Sequence, residues 1–366
     1  MAEREGFEPS IRFCRILTFQ ASAFDHSATA PRFPEVARPR LGSCPAQAFG
    51  ALLCLGCQST IAGMPVLMLP FLLAQAAAAQ ASGAVAPDPQ SPAQIIAAAP
   101  SADWVPIDAG DLIVMELAGE PTRRVVVQLM PAPFARPWIA NIRALALAHW
   151  WDRTSVNRVQ DNYVAQWGDA TERKPLPKQL SAAPEGGYTV PLAALEPSER
   201  TPGPADVYAP ATIFYRGWPI AADAARASAW PVHCYGMIGV GRDVSPNTGS
   251  GAELYAVIGH APRHLDRNIA LVGRVIEGIE HLSSLPRGTL PLGFYAQPDQ
   301  RVRIDRIRLG SELPAEARPR FAYLSTRSAS WTRYASARSS RRDAFFIRPA
   351  GAADICNLPV PVRRAP

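Results

Sequence analysis

A mainly β protein, closed into an antiparallel barrel with two helices against it, is what this sequence predicts. Three observations point there. From about residue 111 the chain breaks into short β-branched runs separated by Gly, Pro, Asn and Asp turn signals. Two stretches of that body carry helical spacing. The 37 prolines in 366 residues are about twice ordinary usage, which favours short strands and long loops over long helices. At 48% hydrophobic residues the chain has ample material for a packed core.

The elements follow in order. DLIVMELAG alternates, meets a GEP turn and is followed by the β-branched run RRVVVQLMP, closed by Pro131, so the two read as a β-hairpin. In ARPWIANIRALALAHWW, Ile139, Ile142, Leu145, Ala146 and Trp150 recur at helical spacing. A helix is expected there from about Pro137, since proline suits a first turn. TSVNRVQDNYVAQWGD predicts two short strands about a turn at 160–162. The Pro- and Ala-rich residues 174–230 are too long for an ordinary loop and read as an insertion with structure of its own. Strands resume at HCYGMIGVGRD, ELYAVIG and NIALVGRVIEG, with a short helix at GIEHLSSL. QRVRIDRIRLG alternates arginine with Val and Ile and reads as an edge strand. It lies in a C-terminal extension, 291–366, whose FAYLSTRSASWTRYASARSSRRD is helix-compatible.

The N-terminal part is different in kind. Residues 1–63 have no strand or helix period and include the Pro/Arg-rich RFPEVARPRLGSCPAQ; they read as a non-genuine or disordered extension. From Met64, an apolar run to Leu73, then small residues, then a polar proline-rich segment follow the order of a secretory signal over 64–81. The run falls far short of the roughly 20 residues that span a bilayer, and Ala79-Gln80-Ala81 fits cleavage before Ser82. No Lys or Arg follows Met64 as an n-region requires, the nearest upstream being Arg38 and Arg40. A linker is expected over 82–110. A periplasmic location follows, with no stable membrane insertion after cleavage. Four cysteines (Cys14, Cys44, Cys54, Cys57) precede the cleavage site, leaving Cys234 and Cys356. In an oxidising compartment these two either pair or remain buried thiols.

Charge and motifs exclude several classes. A net charge of +6 is spread over scattered arginines, with no basic run interleaved with aromatics, so nucleic acid is not an expected partner. GVGRDVSPNTGSG lacks the Lys-Ser/Thr of a phosphate cradle. His260 and His264 are separated by Pro262, and Ser250 has no nucleophile-elbow pattern. No metal and no cofactor are expected. The densest polar and aromatic cluster, NRVQDNYVAQWGDAT at 157–171, holds no Ser, Cys or His.

Residues 112–285 resemble the cyclophilin-type peptidyl-prolyl cis-trans isomerases. Four stretches match in order: GEPTRRVVVQLMPAPFARPWIANIRALA, NRVQDNYVAQWGD, GMIGVGRDVSPNTGSGAELYAVIG and HLDRNIALVGRVIEGIEHL. The family's F-H-R-x-x-x-x-F-x-x-Q-G-G-D stands here as V-N-R-V-Q-D-N-Y-V-A-Q-W-G-D. The resemblance implies a closed eight-stranded barrel capped by two helices and a function on X-Pro bonds of proline-containing polypeptides. It places Arg158 on the catalytic arginine and Gln166 on the glutamine that contacts the substrate backbone. Tyr163, Val164, Tyr255, Leu265 and Ile269 fall on the proline pocket, where Val164 stands for methionine and Ile269 for histidine. Glu253 falls on a second glutamine, and His264 where many members carry tryptophan.

Such a site needs no nucleophile. Rotation about a peptide bond is opposed by about 18–20 kcal/mol of conjugation, and the two X-Pro isomers are close in energy. A catalyst has only to favour the twisted bond, whose prolyl nitrogen becomes a hydrogen-bond acceptor. Arginine offers fixed donors and a permanent charge for that purpose, while an apolar wall holds the ring. Asp169 and Gly168 fit turn geometry better than catalysis. The alternative is a weakly catalytic binding module or chaperone for proline-containing segments, which Ile269 and Glu253 favour.

Overall fold

The computed structural model describes residues 89–365 apart from 120 and 122. The expected export signal and the four N-terminal cysteines lie outside them. Residues 89–110, expected as a linker, carry two elements. Helix α1 (Pro92–Ala97) opens on a capping box in which Ser91 and Gln94 satisfy each other's backbone N–H groups. Strand β1 (Trp104–Pro106) follows.

The body begins with the expected hairpin, β2 (Leu112–Leu117) and β3 (Arg123–Leu129). Helix α2 (Arg136–Leu147) has proline in its first turn and buries Ile139, Ile142, Leu145 and Ala146 as their spacing requires. It ends before Trp150, which is buried from the following turn. Strands β4 (Ser155–Val159) and β5 (Val164–Gly168) flank the expected turn. The insertion supplies β6 (Val190–Pro191), β7 (Arg200–Pro202), β8 (Ala211–Tyr215), β9 (Trp218–Asp223) and β10 (Ser228–Pro231). Then come β11 (Met237–Val240), β12 (Leu254–Val257), β13 (Leu271–Glu277), the four-residue α3 (Glu280–Ser283) and β14 (Val302–Leu309). The chain closes with β15 (Phe321–Leu324), α4 (Ala329–Ser339) and β16 (Val362–Arg364).

Eight of the described strands close an antiparallel barrel in the order β11-β12-β5-β4-β14-β2-β3-β13. Its interior is apolar and nearly filled: Ile113, Met115, Trp167, Ile238, Leu254 and Ile307 surround a void of about 20 Å³, and Ile142 of α2 plugs it. Fully burying a side chain of this size contributes about 1.5–3 kcal/mol. The insertion folds as a second sheet, β6-β10-β9-β8-β7, and a third pairs β1 with β15 and β15 with β16.

QRVRIDRIRLG is not an edge strand. As β14 it lies between β4 and β2, so the extension expected from 291 supplies a strand that the barrel cannot close without. Alternation of arginine with Val and Ile marks a strand with one wet face, and a barrel strand has the same pattern. Ile304 and Ile307 face the core, while Arg306 pairs with Glu116 at 2.8 Å and Arg308 with Asp152 at 2.7 Å.

Specific contacts join insertion and tail to the barrel. Arg274 of β13 donates to Gln128 Oε1 at 3.0 and 2.8 Å and to the Gly217 carbonyl of the β8–β9 turn at 2.8 Å, and lies 4.4 Å from the centre of the Trp218 ring. Burial pushes its pKa down to about 10. Phe214 of β8 meets Trp331 of α4 edge-on at 4.8 Å. Of the two alternatives for the remaining cysteines, pairing holds: Cys234 and Cys356 form a disulfide with Cα atoms 5.1 Å apart, 122 residues apart in sequence.

Candidate active site

A bulge sets the register of the site. Between β4 and β5 the pairing shifts after Val156–Trp167, which brings Arg158 opposite Gln166. Such bulges re-aim a side chain. Gln166 is in turn opposite Tyr255 of β12, and Tyr255 opposite Gly239 of β11. Arg158, Gln166 and Tyr255 thus form one row across adjacent strands. Trp167 and Leu254, at the alternate positions, point into the barrel, so the row lies on the outer face. The Tyr255 ring crosses Gly239 so closely that a Cβ there would stand 2.2 Å from its hydroxyl.

Arg158 is buried, with 0% exposure. Its Nη1 donates to Gln166 Oε1 at 3.0 Å, its Nη2 to Gln160, and its Nε to the Leu292 carbonyl at 2.6 Å. The rings of Tyr163 and Phe294 stand 5.7 and 5.6 Å from the guanidinium. Burial pushes its pKa down to about 10, against the favourable fields of Tyr163 and Tyr255; it remains charged at neutral pH. The Leu292 carbonyl and Phe294 come from residues 286–294, which run along β4 with Gly288 N–H on the Val159 carbonyl at 3.0 Å and Tyr295 N–H on the Asn157 carbonyl at 3.1 Å. Leu292 has φ 70°, a left-handed conformation uncommon outside glycine.

Gln166 links Arg158 to Glu253, whose carboxylate accepts from the Gln166 side chain. The Glu253 side chain lies over Gly168, where a Cβ would come within 1.8 Å of Oε1. Burial raises the Glu253 pKa to about 8, and the Gln166 hydrogen bond opposes that rise. Gln166 and Glu253 line a cavity of about 670 Å³ together with Arg242, Asp243, Phe294 and Tyr295. Asp169 does serve the turn: it accepts backbone N–H bonds from Thr171, Arg173 and Lys174 at 3.1, 2.8 and 2.7 Å. Burial acts to raise its pKa, but these bonds prevail and hold it below the usual carboxylate value.

The residues placed on the proline pocket are distributed unequally. Tyr163 and Tyr255 lie within electrostatic reach of Arg158. Tyr163 stacks on His264 at 6.3 Å and 15°. Val164, two residues before Gln166, shares its face of β5 and is buried, as are Leu265 and Ile269. All belong to the continuous apolar core, and none of these five lines the 670 Å³ cavity. Sequence reasoning missed the covering by Leu292 and Phe294, as well as Gln160. The signal was present in Gly288, Pro291 and Gly293, turn residues just past the end of the matched stretches.

Residues 123–309, just over half the chain, match the family model for cyclophilin type peptidyl-prolyl cis-trans isomerase/CLD. The chain belongs to this family. The cyclophilin AquaCyp293 from Hirschia baltica is similar in structure, with a TM-score of 0.55 at 22% identity over 71% of this chain and 93% of that one. A Cryptosporidium parvum cyclophilin type isomerase, solved in the presence of the dipeptide Ala-Pro, aligns with a TM-score of 0.33 at 11% identity, over 54% of this cyclophilin and 98% of that chain. Among curated proteins none matches.

Proposed function

We propose that this cyclophilin accelerates cis-trans rotation of X-Pro bonds in folding or exported proteins, with Arg158 stabilising the twisted bond. The observation that carries the reading is the Arg158–Gln166 pair, 3.0 Å apart, set side by side by the bulge with Tyr163 and Tyr255 beside the guanidinium. Gln166 keeps the guanidinium oriented and offers its amide to the substrate backbone, and Tyr163, Val164, Tyr255, Leu265 and Ile269 hold the proline ring. A charge desolvated before substrate arrives gives up little further solvation when the prolyl nitrogen approaches, which is electrostatic preorganisation. Because Arg158 has no exposed surface, a peptide reaches it only when Phe294, Tyr163 or the 286–294 segment yields.

Export to the periplasm is supported by the order of segments over 64–81 and by the Cys234–Cys356 disulfide, a bond that persists in oxidising compartments. N-terminal sequencing of the secreted protein tests it: a start at Ser82 is expected, and an intact Met64 rejects cleavage.

The engaged donors of Arg158 favour a second reading, a module that holds proline-containing segments with little turnover. NMR exchange on an Ala-Pro peptide, with wild type and Arg158→Ala, separates the two. Equal rates in both proteins reject the catalytic role of Arg158. Wild-type exchange no faster than the uncatalysed rate, with binding retained, supports the module.

A further inference from the structure

The hydroxyl of Tyr255 is the end of a buried polar chain. It meets Nε2 of His233 at 3.1 Å. His233, with 0% exposure, places Nδ1 2.8 Å from Asp266 Oδ1, which also accepts the His233 backbone N–H at 3.0 Å. A carboxylate only accepts, so Nδ1 carries a proton and donates to Asp266, which leaves Nε2 to meet the Tyr255 hydroxyl. Asp266 Oδ2 accepts from Arg263 Nε at 2.7 Å. The two terminal nitrogens of Arg263 reach both oxygens of Asp206 at 3.0 and 2.6 Å, and the Tyr208 ring lies 4.7 Å from the guanidinium. Side-chain exposure along this run is 4% for Arg263, 3% for Asp206 and 5% for Asp266. Asp206 and Tyr208 belong to the insertion; Tyr255 belongs to the barrel.

The chain grips the pocket at three places. Its end is the Tyr255 ring. Its middle, Arg263 and Asp266, brackets Leu265 on a single turn of 3₁₀-helix, Arg263–Leu265. The same turn carries His264, which stacks on Tyr163. Phenylalanine at position 255 would fill the same space without the hydroxyl bond. Where a buried network is satisfied along its run, it fixes its members in one arrangement, and loss of one partner is felt along its length.

We propose that Asp206 is a positioning residue for the proline pocket: acting through Arg263, Asp266 and His233, the insertion holds Tyr255 and the Leu265 turn in register with Arg158. This rests on the reading of that pocket as the X-Pro site. The insertion then governs how firmly a proline ring is held without touching the substrate. Its effect falls on binding more than on the bond rotation, because the network ends on the pocket wall and not on Arg158.

The test uses the full chain with Asp206→Asn, Tyr255→Phe and the double variant. Three quantities are read: the ¹⁵N shift of His233 Nε2, the affinity for an Ala-Pro peptide, and the exchange rate of the bound peptide. Asp206→Asn is expected to move the His233 signal and weaken peptide binding about fivefold, with bound-state exchange changed less than about twofold. Tyr255→Phe is expected to weaken binding by a similar factor, and the double variant to stay near about fivefold instead of the product of about 25-fold. Fully multiplicative effects overturn the proposal. So does a shifted His233 signal with unchanged affinity, an outcome that leaves the isomerase reading intact. A wild type that binds the peptide without accelerating exchange sinks the isomerase reading, while loss of that binding in Asp206→Asn still supports the positioning role. Should Asp206→Asn fail to fold, Tyr255→Phe alone decides: it removes one hydroxyl, and unchanged affinity overturns the proposal.

Discussion

The two halves of the site are held in different ways. On the Arg158 half, the cover is one segment, 286–294, running along β4 through backbone bonds, with Leu292 in a left-handed conformation at the point where its carbonyl meets Arg158. On the Tyr255 half, the support is a run of buried charges reaching into the insertion, with the Cys234–Cys356 disulfide beginning one residue after His233. A non-glycine residue at positive φ costs about 1–3 kcal/mol and persists only where its surroundings hold it. Removing one partner from a buried charge pair costs about 3–5 kcal/mol. On these scales the cover is the less firmly held half and the pocket wall the more firmly held.

The largest expected effect falls on the fixed half. Replacing both Cys234 and Cys356 by alanine opens a loop of 122 residues and is expected to cost about 3–5 kcal/mol in urea unfolding, mostly through the freed unfolded chain. A midpoint that does not move would show that buried packing alone secures this half. Next comes Arg158→Ala, expected to slow catalysed exchange about 100-fold, the scale for losing a preorganised donor, while peptide affinity changes less. Phe294→Ala addresses the cover. With a larger fraction of the protein open, kcat/KM is expected to rise about tenfold, and a fall would mean that Phe294 belongs to the substrate site.

A pH-dependent test concerns Glu253, in the cavity beside the row. Its carboxyl keeps its proton up to about pH 8 in the folded chain against an ordinary 4.5. Between those values the folded state binds more protons than the unfolded, so this contribution to stability declines as pH rises. Glu253→Gln lacks that loss, and its Tm advantage over wild type is expected to grow from pH 4.5 to 8; a constant difference would place the carboxyl in water. Asp152 and Asp169, both held below the usual carboxylate range, act in the opposite sense and in a separate window, losing their contribution only as pH falls through their lowered pKa values.

Much of the barrel was legible in the sequence. Alternation at β2 and short β-branched or apolar runs bounded by turn residues at β3, β5, β12 and β13 mark strands, and the spacing of Ile139, Ile142 and Leu145 states the helix. The neighbours of β14 were not legible, because alternation reports a half-buried strand and says nothing of what lies on either side. In the site, Arg158 of β4, Tyr163 of the following turn, Gln166 of β5 and Tyr255 of β12 could be read because the stretches that carry them resemble the family's motifs in order. The covering segment left only turn residues, Gly288, Pro291 and Gly293, as its mark; that the Leu292 carbonyl meets Arg158 could not be read, since a carbonyl acceptor leaves no mark on residue type.

Residue types by themselves determined a fold class, an arginine with an amide and aromatic rings beside it, and two cysteines available to pair. Tertiary structure alone decided that the cysteines do pair, that Arg158 is covered, and that Tyr255 is tied through His233, Asp266 and Arg263 to Asp206. Periodicity is a local property of the chain and survives in the sequence. Burial and buried hydrogen bonds join residues far apart along it, here 57 positions between Asp206 and Arg263, and exist only once the chain has folded.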